Sequence, residues 1–569
     1  MVPWGKLNFR RVNMKKKKIF SLLLAGLVTT SVFVGCGKKD NGSTTAGGSK
    51  EPITFTFFSA DLTEDIAFTD DVAKKITELT GVTLKFEHPV AGDTQAVPLM
   101  IAGGEYPDLI YAKGDTSKLI DAGAVIDLND YIEKKGTNLK ALYGDQLNRL
   151  RYSNENPSIY TVGTYGVVNK VFAPSGNMQI QHQALKELGY PEIKSLADYE
   201  KALKDYLAKS PTTESGEKRI GLSLMASDWR WLLTVGNKAT LTAGYPDDGQ
   251  FVVDDKTGEA KYKFILDEAR EYFRWLNGMN AQGLLDPESF TQKEDTYKAK
   301  IAAGRVVGLS DEDWDYQASV TSLIAEGKDE LTYAKLPVVM DPAKHKAQSL
   351  KDYGFSGGWG VAITSSNKDP ERAFEFLDWL ASDEAQILLN WGVEGTHYKV
   401  NAEGKREFLP EIQEQRNTDA DFSKKTGVGK YVYPFPQRGV GALDKNGDSY
   451  SPDTLENKIA NYTEAEKETL AAYGVKSWPD LFPSAEELGI SNHGQVWQLN
   501  IPSDSDIAII QKKADDYTQQ AITQAILGKP EDFDKAYDEV INTLKSYDIE
   551  KLNTQMTELI KDRLELWNK

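Results

Sequence analysis

Cysteine is all but missing from this 569-residue chain, Cys36 being the only one. The folded part therefore has neither an internal disulfide nor a cysteine-based metal or redox centre. A clean apolar run of membrane-spanning length is also missing. The strongest candidate, residues 19–34, is interrupted by Ser21, Gly26, Thr29, Thr30 and Ser31, and it falls short of the ~20 apolar residues that cross a bilayer. Positive charge is in deficit. The 67 Lys and Arg stand against 85 Asp and Glu, a net −18, and setting aside residues 1–35, with seven basic residues and no acid, leaves −25. So acidic a protein does not seek nucleic acid or an anionic membrane through its general charge. No internal repeat is present.

What the chain does have begins with MKKKKIFSLLLAGLVTTSVFVGC at 14–36. Four lysines ahead of an apolar core that ends in small residues is the order of a secretory signal peptide. Gly35-Cys36 resembles the lipobox of bacterial lipoproteins, although Phe33 stands where that pattern usually has leucine. The resemblance implies cleavage before Cys36 and acylation of its sulfur, and two or more acyl chains hold a protein stably on a membrane surface. The other use of a lone cysteine, a buried thiol in a core, lacks a surrounding domain here. Residues 1–13 precede a complete signal peptide, so Met14 is the expected start. GKKDNGSTTAGGSK after Cys36 reads as flexible coil, giving a linker over 36–51.

Order begins with the β-rich ITFTFFS from Ile53. A helical pattern follows with Val72, Ile76 and Leu79 on one face, then a stop at Gly81 and the strand VTLKFEH. A helix over 97–101, the turn Gly103-Gly104 and the strand PDLIYA continue an alternation that predicts an α/β lobe with a mainly parallel sheet. FVVDDKTGEAKYKF predicts a hairpin around Lys256-Thr257-Gly258. Asp369 is placed to cap a helix with Pro370 in its first turn and Phe374, Leu377 and Leu380 on its buried face.

Several segments in order carry a resemblance. PLMIAGGEYPDLIY, KLIDAGAVIDLNDYIEKKGTNLKALY, the helix ending GLLDPES, and above all GFSGGWGVAITSSNKDPERAFEFLDWLASDEAQILLNWGVEGTHYKV are similar to the extracellular solute-binding proteins of ABC importers, family 1. The resemblance implies an α/β, two-lobed, periplasmic-binding-protein-like fold of type II with a cleft between the lobes. It implies lobe 1 from 52–165 and about 298–355, and lobe 2 from 166–297 and about 356–569. It further implies a monomeric, lipid-anchored protein on the extracellular face of the membrane, without cofactor. Its partners would be an oligosaccharide, of the plant cell-wall kind often linked with this subgroup, and the transmembrane subunits of an ABC permease.

The aromatic content singles out the expected ligand contacts. In MASDWRWLL, Trp229 and Trp231 flank Arg230 and follow Asp228. A pyranose offers an apolar face to an indole while Asp or Arg bonds its hydroxyls, and the same two indoles would equally pack one face of a helix. Trp314 lies among Asp311, Asp313 and Asp315, and Trp359 and Trp391 are further stacking candidates. Asp61, Asp228 and Glu394 are the expected hydroxyl partners, with Tyr160 and Tyr165 near the mouth of the cleft.

Catalytic and metal patterns are weaker. Asp286 and Glu288 flank a proline and suit a turn. Ser356 in GFSGG lacks the strand before and helix after it that a nucleophile elbow needs. The loop 210–219 lacks the repeated aspartates that bind calcium in some relatives. DKNGDSYSPDTLE at 444–456 resembles a calcium loop through Asp444, Asn446 and Asp448, but Ser449 and Leu455 stand where Gly and Glu are needed; a polar turn is expected. The alternative reading is a secreted cell-surface glycosidase, which needs two carboxylates ~5–9.5 Å apart across the bond. A peptide-binding lipoprotein of another importer family has no motif support.

Overall fold

The computed structural model describes residues 51–90 and 95–569. The signal peptide, Cys36 and nearly all of the linker lie outside them. The described residues fall in one compact unit spanning 49–569.

In chain order the strands are β1 (Ile53–Ser59), β2 (Val82–Glu87), β3 (Leu109–Tyr111), β4 (Thr161–Val162), β5 (Met178–Gln181) and β6 (Ile220–Ser223). They continue as β7 (Phe251–Val253), β8 (Ala260–Tyr262), β9 (Val306–Ser310), β10 (Tyr333–Leu336) and β11 (Val361–Ile363). Two sheets organise them. The first runs β2-β1-β3-β11-β4 and the second β10-β5-β9-β6. β1 is parallel to β2 and β3, whereas β11 is antiparallel to both β3 and β4, with Val361 opposite Tyr111. In the second sheet only β6 and β9 are parallel, and β5 runs against β9 and β10.

The sheets are thus mixed where the alternation predicted mainly parallel ones. The antiparallel members are the strands next to the crossings between sheets, and a strand entering from a crossing needs no helical return. Those crossings also correct the expected lobe boundaries. β9 and β10, within 298–355, pair in the second sheet, and β11 returns to the first. The burial of β9 along its whole length suits an interior position between β5 and β6.

Each sheet has its own core. Around the first, Phe55, Phe57, Val72, Ile76 and Tyr111 meet Phe374, Leu377 and Leu380. The helix Pro370–Leu380 that supplies the last three is capped as its sequence requires, Asp369 accepting from Arg372 N–H with Pro370 in the first turn. Around the second, Tyr199, Leu203, Tyr262 and Phe273 meet Ala514, Ile522, Tyr537 and Leu552 from the C-terminal helices. Asn277 ties those helices in, its Nδ2 donating to the carbonyls of Ala525, Ile526 and Gly528 at 2.8–3.1 Å, which satisfies groups a helix end leaves unpaired. The chain therefore passes between the two cores three times: between β4 and β5, between β10 and β11, and after Phe435 on the way to Leu470. The hairpin β7–β8 forms as predicted, Asp254 holding its turn by accepting from Lys256 and Thr257 N–H. No helix among the described residues is long and apolar enough to cross a membrane.

Candidate ligand site

Side chains leaving one edge of each sheet converge. Asp61 follows β1, Lys113 follows β3, Tyr165 follows β4 and Trp359 precedes the antiparallel β11, so all four emerge at the same edge of the first sheet. Trp229 follows β6 and Trp314 follows β9, at the carboxyl ends of the parallel pair in the second sheet. Carboxyl ends of strands are where open α/β sheets bind ligands.

Trp229 and Trp314 are 59% and 60% exposed, and their rings lie 8° from parallel with centroids 6.2 Å apart. Together they form a stepped apolar shelf. From the first sheet, Trp359 meets Trp497 at 5.1 Å, Trp497 meets Tyr165 edge-on at 5.7 Å, and Tyr165 continues to Tyr433 at 5.9 Å. The Nε1–H of Trp497 is buried without a hydrogen-bond partner. Gly249 lets that ring sit close, since its φ is +67° and an added Cβ would stand 2.9 Å from the Trp497 Cβ.

The polar groups interlock with these rings. Asp61 accepts from Lys113 Nζ at 2.6 Å and from the Tyr433 hydroxyl at 2.7 Å. Lys113 Nζ lies 5.9 Å from the ring of Trp229 and 5.6 Å from that of Trp359, so one ammonium joins aromatic groups of both sheets. Burial, together with the Asp61 charge, pushes the hydroxyls of Tyr165 and Tyr433 well above the ordinary tyrosine range, so both remain O–H donors at any physiological pH. Arg230 lies 5.1 Å from the Trp229 ring and bonds Asp228, Glu294 and Asp315 at 2.7–2.9 Å. Lys113 (φ +53°) and Thr164 (φ +84°) are two of the four non-glycine residues with positive φ among the described residues. Strained backbone of that kind collects at ligand sites.

Other expected contacts fall elsewhere. Trp231 is 3% exposed, donates Nε1–H to Thr523 Oγ1 at 2.9 Å and packs on Phe264 and Phe273. Residues two apart on a helical turn point roughly 200° apart, so one indole of the pair faces out and the other in. Trp391 is likewise buried against Phe408 and donates to the Ser449 carbonyl. Glu394 is exposed at a turn bridged to Tyr398. Tyr160 stands apart with Tyr152. Sequence reasoning missed Lys113, Tyr433 and Trp497; only the place of Lys113, directly after the strand PDLIYA, offered a signal.

The sequence profile described as bacterial extracellular solute-binding protein matches residues 71–391, across both sheets. The chain belongs to that family. FusA, a fructooligosaccharide ABC transporter substrate-binding protein of Streptococcus pneumoniae, is 24% identical over 445 residues, covering 73% of this solute-binding protein and 79% of its own length. Lipoprotein LipO of Bacillus subtilis is 22% identical, covering 68% and 74%. Among solved structures, S. pneumoniae FusA in complex with kestose aligns with a TM-score of 0.65 at 18% identity over 90% of this chain and 99% of that one. The alginate-binding protein AlgQ2 without calcium aligns at 0.64 and 16% identity over 91% and 99%. The fold is the two-lobed α/β architecture expected from the sequence.

In this solute-binding protein the loop at 444–448 is built around an arginine. Arg406 reaches Asp444 at 2.8 Å and Asp448 at 3.0 Å, all three side chains nearly buried. Arg406 also pulls the Asp444 carboxyl below its usual range, against the opposing effect of burial. Ser356 Oγ accepts from Gln495 N–H at 2.8 Å and the apolar β11 follows it, an order unlike that of a catalytic elbow.

Proposed function

We propose that this protein captures oligosaccharides outside the cell as the substrate-binding component of an ABC importer. One lobe is built on the β2-β1-β3-β11-β4 sheet and the other on β10-β5-β9-β6, with the ligand between them. The observation that carries the reading is the exposed, near-parallel pair Trp229 and Trp314, linked through Lys113 to Trp359 of the first sheet, with Tyr165 of that sheet and Trp497, next to Val496 of the second core, beside it. Sugar rings stack on such faces and their hydroxyls take up flanking donors and acceptors; the unpartnered Trp497 Nε1–H is one donor of this kind. The fructooligosaccharide specificity of FusA supports the choice of sugar.

A ligand touching both lobes favours the closed arrangement by its differential affinity, and a permease then reads the closed shape. Asp61 and Asp228 serve as hydroxyl partners, and the protein works as a monomer tethered through an acylated Cys36. The family's members are binding proteins.

The test is titration calorimetry on protein beginning at Gly37, with neutral fructo-, manno-, xylo- and gluco-oligosaccharides, a uronate-bearing series and a short peptide pool. Binding of one sugar series, lost on replacing Trp229 and Trp314 together, is expected. Binding of peptides alone, or of nothing, would refute the reading.

A further inference from the structure

Each cation that lies over the exposed Trp229 is already matched by carboxylate. Lys113 and Arg230 are those cations among the described residues. Lys113 is 2.6 Å from Asp61. Arg230 is shared by Asp228, Glu294 and Asp315. Around the shelf, then, with Lys298 also paired to Glu294, three cations face four carboxylates. Beside Trp314 the pattern recurs, with Asp313 engaged by Lys335 and by the Tyr316 hydroxyl.

The Lys113–Asp61 pair is also held firmly in place. The lysine backbone sits at φ +53°, a conformation that a non-glycine residue keeps only where the surrounding structure fixes it. Asp61 is fixed from a second side by Tyr433. An arriving carboxylate would have to take Lys113 from Asp61, leaving Asp61 without its cation, and would approach the acids around Arg230. Like charges brought together in a partly desolvated site are strongly unfavourable. A sugar hydroxyl meets no such obstacle, because it donates to one member of a pair and accepts from the other without changing the net charge.

We propose that the site selects uncharged oligosaccharides over uronate-bearing ones, and that Asp61 sets this preference by neutralising Lys113. The inference rests on the oligosaccharide reading above and narrows its substrate class. Asp61→Asn keeps an acceptor for the Tyr433 hydroxyl while freeing the ammonium, so the variant is expected to gain uronate affinity. Lys113→Met added to it removes that ammonium and should cancel the gain.

The experiment measures dissociation constants of the wild type, D61N and D61N/K113M for neutral and uronate-bearing oligosaccharides of equal length, at one low ionic strength. The wild type is expected to favour the neutral series by at least about tenfold, D61N to narrow that ratio by about tenfold, and the double variant to restore it. Equal or tighter uronate binding by the wild type overturns the inference while leaving oligosaccharide capture standing. So does an unchanged ratio in D61N. Failure of every sugar series to bind the wild type overturns the underlying reading and this inference with it.

Discussion

Trp229 and Trp314 leave two different strands of one sheet, β6 and β9, and come to rest 8° from parallel. Neither ring is buried by the fold. Two large apolar faces kept exposed side by side mark a surface meant to be covered. Replacing either by alanine is expected to weaken ligand binding by about 2 kcal/mol, roughly thirtyfold, as central aromatic anchors do. Thermal stability should stay within a few degrees of the wild type. Calorimetric titration and thermal melts on the same preparations check both parts.

Trp231→Ala should behave in the opposite way. Its indole fills the core between Phe264 and Phe273, so the expected result is a loss of about 3–5 kcal/mol of stability. Denaturant unfolding measures it. A selective loss of sugar affinity with stability intact would contradict the assignment of this ring to the core.

Arg406 stands between two nearly buried carboxylates. Added calcium or a chelator is therefore expected to leave the melting temperature unchanged, whereas Arg406→Ala should cost about 3–5 kcal/mol by stranding Asp444 and Asp448. If calcium rescued the variant, its carboxylates would be shown to retain cation affinity once the guanidinium is gone.

His182 predicts an acid-side sensitivity. It is 2% exposed, its Nδ1 is 2.7 Å from Thr469 Oγ1, and burial pulls its pKa down to about 3. Between its unfolded value near 6.5 and about 3, the unfolded chain binds a proton the native protein refuses, so stability falls as pH falls through that window. The slope is at most about 1.4 kcal/mol per pH unit. Chemical unfolding from pH 7 to 4 should show His182→Gln with a flatter decline than the wild type.

If Cys36 carries the proposed acyl anchor, Cys36→Ala is expected to release the protein from the membrane fraction into the medium, because the acyl chains would have no other attachment. Fractionation and immunoblotting decide between retention and release.

Local elements were legible wherever one residue type has one job. Asp369 and Pro370 open their helix as read, and the turn at 254–258 closes its hairpin. Assignment of strands to sheets was not, because β9 and β11 are both short apolar runs and their partners are far away in sequence. The site divided in the same way. Tryptophans are conspicuous, but a tryptophan in a core and one on a shelf look alike until the turn of the helix separates Trp229 from Trp231. The place of Lys113 just after a strand was the one local signal, and its role comes from Asp61, Trp229 and Trp359, all brought to it by the fold.

The three passages of chain between the cores have an engineering consequence. Neither half of the molecule corresponds to a contiguous stretch of gene, so expressing 51–360 alone would omit β11 and leave β3 and β4 with bare edges, an invitation to aggregate. A split reporter or biosensor built from this scaffold should keep all three connections and place its insertion at an exposed turn such as Glu403–Gly404, away from the passages.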